Sequence, residues 1–170
     1  MMKHVHWVHD EGRQRGFTLI ELMAVLAIVA IIALWGVPSY FDFVKKRQTN
    51  SAAVQMAASL QLARSEAMTV GREVAVCGAN AAGSACSTSG NAFGDRWLVY
   101  IPLGAEGIRV IQVYESSGVS VTSSCGAIKV SAMGRYPSCT VKILPTSNEA
   151  NLGKTITVTP TGLAVADGAS

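Results

Sequence analysis

Beyond residue 9 the chain contains no histidine. The commonest general acid–base side chain is therefore missing from almost the whole protein. There is also no Gly-x-Ser-x-Gly, no His-Glu-x-x-His and no phosphate-binding P-loop, so the usual nucleophile, zinc-protease and nucleotide signatures are lacking. Asp95 and Glu106 lie in no recognisable acid–base motif. Charge is scarce: Asp, Glu, Lys and Arg make up 15% of the residues, against ~25% in ordinary soluble domains. Between Leu22 and Phe41 there is no charge at all. These absences point away from an enzyme, and no cofactor or metal is expected.

What is present begins with that uncharged run. At about 1.5 Å per residue its length is enough helix to span ~30 Å of hydrocarbon. The order of features is the reverse of an ordinary secretory signal. Residues 1–16 are polar, with Lys3, Arg13 and Arg15, and the small residue Gly16 precedes the apolar core. Lys45, Lys46 and Arg47 flank the far side, so counting positive charges leaves the orientation even. Glu21 stands just inside the run. A carboxylate in a membrane segment costs ~2.5–3.5 kcal/mol on insertion scales, so a chain that keeps one has a use for it. After Arg47, Ala53, Met56, Leu60, Ala63, Ala67 and Val70 recur at helical spacing. This predicts one helix of about 50 residues, stopped by Gly71 and loosened or kinked at Gly36 and Pro38.

After Gly71 the period shortens. REVAVC, RWLVYI, IRVIQVYE, VSVT, AIKVSAM, CTVKIL, KTITVT and GLAVA are short runs rich in β-branched residues, separated by glycine, proline, serine and asparagine. They predict an antiparallel β domain. The segment Gly78–Gly94 is small and polar in composition and reads as an exposed loop rather than core. All four cysteines, Cys77, Cys86, Cys125 and Cys139, lie in this part. Their separations exceed the short spacings typical of zinc sites. Two local disulfides, Cys77–Cys86 and Cys125–Cys139, are favoured among the three possible connectivities. Disulfides put this part in the periplasm or outside the cell, and the N-terminus in the cytoplasm. The fold class expected is α+β: a long N-terminal helix, half membrane-embedded and half amphipathic, packed on an antiparallel β domain. The boundaries are 17–70 for the helix (transmembrane to about residue 41) and 71–170 for the β domain, after the polar stretch 1–16, which the resemblance below makes a leader.

The stretch RGFTLIEL (Arg15–Leu22) resembles the class III signal of type IV pilins and type II secretion pseudopilins. The resemblance implies that prepilin peptidase cuts between Gly16 and Phe17. It also implies that Phe17 is then N-methylated, that Glu21 is the fifth residue of the mature chain, and that Pro38 is the helix-loosening proline of many pilins. His4, His6 and His9 would leave with the leader. Cleavage creates an α-amino group four residues before Glu21, and a neighbouring subunit shifted along a filament can offer its own ammonium to this carboxylate. That pairing offsets the cost of a lone charge in lipid and favours assembly. LQLARSEAMTVGREVAVCG followed by FGDRWLVYIP resembles the GspH/FimU/FimT class of minor pilins and pseudopilins, and is most like its FimU branch. The function this implies is a minor pilin of a type IV pilus that helps prime assembly and form the tip complex. Its partners would be prepilin peptidase, other minor pilins and the major pilin. The implied location is the inner membrane in a single pass, then the pilus at the cell surface.

Two alternatives remain: a GspH-like minor pseudopilin of a type II secretion system, working with other pseudopilins, and a FimT-like pilin that captures DNA. The DNA-capturing relatives carry a basic C-terminal Gly-Arg-x-Arg segment, whereas TPTGLAVADGAS here has no arginine. GRYP (Gly134–Pro137) supplies one arginine beside an aromatic, in a different place. From Gly71 onward there are seven basic residues (Arg72, Arg96, Arg109, Lys129, Arg135, Lys142, Lys154) and six acidic ones (Glu73, Asp95, Glu106, Glu115, Glu149, Asp167). A surplus of one is no phosphate-binding footprint, and DNA is not expected as a partner. The purified protein should therefore bind duplex DNA no tighter than the non-specific range of ~10⁻⁴–10⁻⁶ M at physiological salt. Submicromolar, salt-sensitive binding that Arg135→Glu abolishes, seen by fluorescence anisotropy, would reverse this reading.

Overall fold

The computed structural model describes residues 17–168, without the side chains of 34–39. His4, His6, His9, Arg15 and Gly16 lie outside the described residues, as do the side-chain surroundings of Gly36 and Pro38. One helix, α1 (Leu19–Val70), accounts for 52 residues. The chain divides after Ser39 into two compact units.

In the second unit the C-terminal part of α1 has one buried face. Ala52, Ala53, Met56, Leu60, Ala63 and Ala67 are each at most 2% exposed, at the i, i+3, i+4 spacing of a single helical stripe. Four of these six are alanine, a strong helix former whose small side chain lets a sheet approach the helix axis closely. Gly71 follows the last helical residue with φ +64°, the left-handed conformation that ends a helix and that glycine adopts without strain.

Among the described residues nine strands follow, all paired antiparallel. A four-stranded sheet has the order β4-β3-β1-β6. It is built from β1 (Val74–Gly78), β3 (Arg96–Pro102), β4 (Ile108–Glu115) and β6 (Ile128–Val130). A five-stranded sheet has the order β2-β5-β7-β8-β9. Its strands are β2 (Ala92–Gly94), β5 (Val119–Ser123), β7 (Cys139–Pro145), β8 (Lys154–Thr159) and β9 (Gly162–Asp167). Val74, Val76, Trp97 and Val99 from the first sheet meet Val121, Val141, Ile143 and Ile156 from the second in one core that includes the helix stripe. The alternation in β5 and β7, buried on odd-numbered residues, reflects a sheet with one face inward and the other toward solvent. The α+β arrangement of a long helix on antiparallel sheets is the one expected from the sequence.

Polar anchors tie the helix to the β domain, one to a strand and one to the turn before β8. The Trp97 indole Nε1 donates to Ser59 Oγ at 3.2 Å, and that hydroxyl donates to the Met56 carbonyl at 2.8 Å. A buried indole N–H left unpartnered would cost ~1–3 kcal/mol, and Ser59, a polar residue in an otherwise apolar stripe, supplies the acceptor. Trp97 also stacks on Tyr114, with ring centroids 5.9 Å apart. Nearer the start of the second unit, Thr49 is fully buried and donates to the Leu152 carbonyl at 2.8 Å.

Both faces of β1 are buried. Ala75, Cys77, Leu98 and Tyr100 form a second, smaller cluster on the face away from the helix. Ala79 and Cys86 of the loop after β1 pack on it together with Ile108, Val110 and Ala127, and the Cys77–Cys86 disulfide joins Cα atoms 5.7 Å apart. Arg96 holds this loop by donating to the Ala81 carbonyl at 2.8 Å while pairing with Glu115 at 3.0 Å. A second disulfide links Cys125 to Cys139 on β7, with Cα atoms 5.8 Å apart.

The segment Gly78–Gly94 differs from the expectation of a wholly exposed loop. Its end forms β2, and Phe93 enters the core at 2% exposure. A lone aromatic among small residues gives no alternation to read, yet its large apolar area dominates the local energetics. β2 comes so near β1 that a Cβ on Gly78 would lie 2.7 Å from the Phe93 Cα and 2.9 Å from the Ala92 carbonyl oxygen. Both are backbone atoms, which cannot rotate away. Gly78→Ala should therefore lower stability by about 1–3 kcal/mol, the usual cost of overpacking. Chemical denaturation of the purified protein should show an earlier midpoint, and an unchanged midpoint would mean that β2 yields freely.

Candidate functional site

The first unit presents the helix start. Thr18 precedes the first helical residue, and its Oγ1 accepts a hydrogen bond from the Glu21 backbone N–H at 3.2 Å. Its carbonyl accepts from the Leu22 N–H at 3.1 Å. Thr18-x-x-Glu21 thus has the spacing of a capping box, with threonine at the N-cap and glutamate at the third helical position. The first-turn carboxylate also complements the positive end of the helix dipole. This local role for Glu21 was readable from the sequence, although the apolar run masks it.

The Glu21 side chain is exposed, and among the described residues its carboxylate has no cationic partner. Phe17 is 83% exposed. Ile20, Met23, Leu26, Ile28, Val29, Ile31 and Ile32 all exceed half exposure, and they point in every direction around the axis. A helix that is apolar all round has to be covered by something other than water. Among the described residues no helix is long and apolar enough to cross a membrane. The described side chains of α1 in this part stop at Ala33, short of the ~20 residues a bilayer requires; in the sequence the uncharged run goes on to Phe41.

In the second unit, Lys45 donates to Glu149 Oε1 at 2.8 Å. This hydrogen bond and the attraction of the carboxylate raise the Lys45 pKa above its ordinary value. Lys154 pairs with Asp167, whose carboxyl the lysine holds below the usual carboxylate range. Arg47 lies over the Phe43 ring, 4.9 Å from its centroid. The basic flank read from the sequence is thus largely occupied by internal partners.

GRYP is also committed internally. Tyr136 is 4% exposed and donates its hydroxyl to the Leu60 carbonyl at 3.0 Å, and burial pushes its phenol pKa up. The Arg64 guanidinium lies 5.6 Å from the Tyr136 ring centroid. This ring joins the loop to the helix and is not presented for base stacking, while Arg135 beside it is exposed. Among the described residues no cluster of His, Cys, Asp or Glu has the makings of a metal site. The structure thus brings together Cys77 with Cys86 and Cys125 with Cys139, and sets Phe17 two residues before α1 and Glu21 within its first turn.

Comparison with known proteins agrees with this geometry. Residues 12–37 match the model described as the prokaryotic N-terminal methylation motif. Residues 52–168 match the model of type II transport protein GspH. Among curated proteins, a fimbrial protein of Pseudomonas aeruginosa is 41% identical over 61 residues, covering 36% of this chain and 39% of that one. The type IV major alpha-pilin of Moraxella bovis is 49% identical over 45 residues, 26% of this chain and 28% of the relative. The chain therefore spans well under half the length of the curated relatives it matches. Among solved structures, the type IV minor pilin FimU of Pseudomonas aeruginosa superposes with a TM-score of 0.56 at 16% identity, covering 75% of this chain and 92% of that one. The minor pseudopilin EpsH of Vibrio cholerae gives 0.53 at 16% identity, covering 71% and 97%. At such identities the likeness is one of fold, and that fold is pilin-like. A methylation motif at the head of an exposed apolar helix, with the GspH model matching most of the remaining chain, identifies the protein as a member of the GspH family within the type IV pilins and pseudopilins.

Proposed function

We propose that the protein is a minor pilin of a type IV pilus, which helps to prime assembly and takes part in the tip complex. The observation that carries this reading is the apolar surface of Phe17–Ile32 on all sides of the helix, which needs lipid before assembly and neighbouring helices after it. In this reading residues 1–16 are a leader, 17–70 the pilin helix and 71–170 the periplasmic β domain. The helix crosses the inner membrane once, up to about residue 41, with the N-terminus in the cytoplasm, and Gly36 and Pro38 loosen it. The Cys77–Cys86 and Cys125–Cys139 bridges suit the oxidising periplasm. Prepilin peptidase, other minor pilins and the major pilin are its partners. The protein has a structural role and catalyses no reaction. The second reading, a minor pseudopilin of a type II secretion system, is supported by the GspH match and the likeness to EpsH. Deleting the gene separates the two: the pilin reading expects fewer pili with secretion intact, the pseudopilin reading the opposite.

Processing is tested by intact mass. The mature chain should begin at Phe17 with one methyl group on its α-nitrogen, and a mature terminus elsewhere would remove the class III reading.

Glu21 is tested in filaments. Its carboxylate lacks a partner among the described residues, and cleavage at Gly16 supplies an ammonium on every subunit for a neighbour's Glu21 to meet. Glu21→Ala should leave membrane insertion intact or improved, since a charge is removed from lipid. Cleavage should continue while incorporation into filaments falls severalfold, measured by immunoblotting sheared filaments. Normal incorporation would show that Glu21 serves only its own helix start.

A further inference from the structure

β9 is the outermost strand of its sheet and has no neighbour on its far side among the described residues. Proteins ordinarily blunt such an edge with lysine, proline or a bulge. Leu163-Ala164-Val165-Ala166 contains neither residue, and its pairing with β8 is regular from end to end. Val165 is 54% exposed. An apolar, regular, uncovered edge is a ready template for another strand.

A trough runs beside this edge along α1. Its middle part, about 270 Å³, has Ala53, Ala57 and Ala58 on the helix side, with Val54 and Val165 beside them. It shares Asn50 with a pocket containing Lys46, Arg47 and Lys154. At the other end it shares Gln61 with a pocket containing Arg64 and Leu163. The lengths agree: six residues of β9 extend about 20 Å, and Asn50 to Arg64 along the helix is about 21 Å. The alanines leave space for the side chains of an incoming strand.

We propose that this trough receives an extended segment of a different protein chain, which adds to β9 as a further strand. Main-chain hydrogen bonds to the open edge would give affinity, and the alanine-floored trough would select alternate apolar side chains. The trough has cations at both ends, Lys46 and Arg47 at one, beside the Lys154–Asp167 pair, and Arg64 at the other. The segment that fits therefore carries an acidic residue at each end of its apolar stretch. A second copy of β9 does not fit, since its one carboxylate, Asp167, is already paired with Lys154. The proposal concerns the surface of the second unit alone and does not depend on membrane insertion or on the choice of filament.

The test uses the full mature chain in detergent micelles and a synthetic peptide of about eight residues, alternating valine and threonine with aspartate at each end. Saturable binding should slow hydrogen exchange at alternate β9 amides. Val165→Lys, which installs an edge-blocking charge, should weaken binding about tenfold. Ala58→Glu, at an exposed helix position, should weaken it similarly by repelling the aspartates. A peptide with central proline should not bind. Unchanged β9 exchange at saturating peptide, or protection that survives the proline, would overturn the proposal. Protection of β9 that appears with protein concentration alone, accompanied by dimers in sedimentation, would assign the edge to a second copy and also overturn it.

Discussion

The fold depends on burying one narrow stripe of a helix between Thr49 and Ala67. The stripe is made mainly of alanine, so the hydrophobic gain comes less from the helix than from what its small side chains admit: Trp97, Val99, Val141 and Ile156 from both sheets. Close approach brings polar groups inward, and each finds a partner. Ser59 receives the Trp97 indole, Leu60 receives the Tyr136 hydroxyl and Leu152 receives Thr49. These bonds fix rotation and register where alanine alone would allow sliding, because a misplaced helix would leave buried donors unpaired.

One helix therefore obeys two solvation rules along its length. From Thr49 to Ala67 one face of it is covered by its own chain, although Val54 on another face is 63% exposed. Up to Ala33 its described side chains other than Glu21 are apolar on every side, and nothing in the described chain covers them. The same element is thus packed by its own chain over one stretch and left uncovered by it over another.

Much of this was legible in the sequence. Spacing alone picks out Ala53, Met56, Leu60, Ala63 and Ala67, and glycine marks the helix end at Gly71; Val70, read onto the same face, is exposed because the sheets do not reach the last turn. The short β-branched runs correspond to β1 and β3–β9, because alternation and β-branching are local properties. What was missed depends on distant partners. Ser59 looks like a blemish in an apolar stripe until the Trp97 N–H is placed against it. Phe93 sits among glycine, serine and asparagine and carries no periodic signal. Tyr136 in GRYP gives no core signal in the sequence, because only tertiary structure reveals that Leu60 claims its hydroxyl. Thr18-x-x-Glu21 has the spacing of a capping box in the sequence itself, and the apolar run around it hides that local signal.

The two disulfides sit on opposite sides of β1. Cys125 and Cys139 lie at the main core beneath its inner face, and Cys77 and Cys86 lie in the smaller cluster on its outer face. Packing on each face is driven by water, whereas the cross-link on each face needs an oxidant. In reducing solvent both clusters would keep their apolar contacts and lose a covalent tether, so completion of this fold is set by redox chemistry as well as by burial.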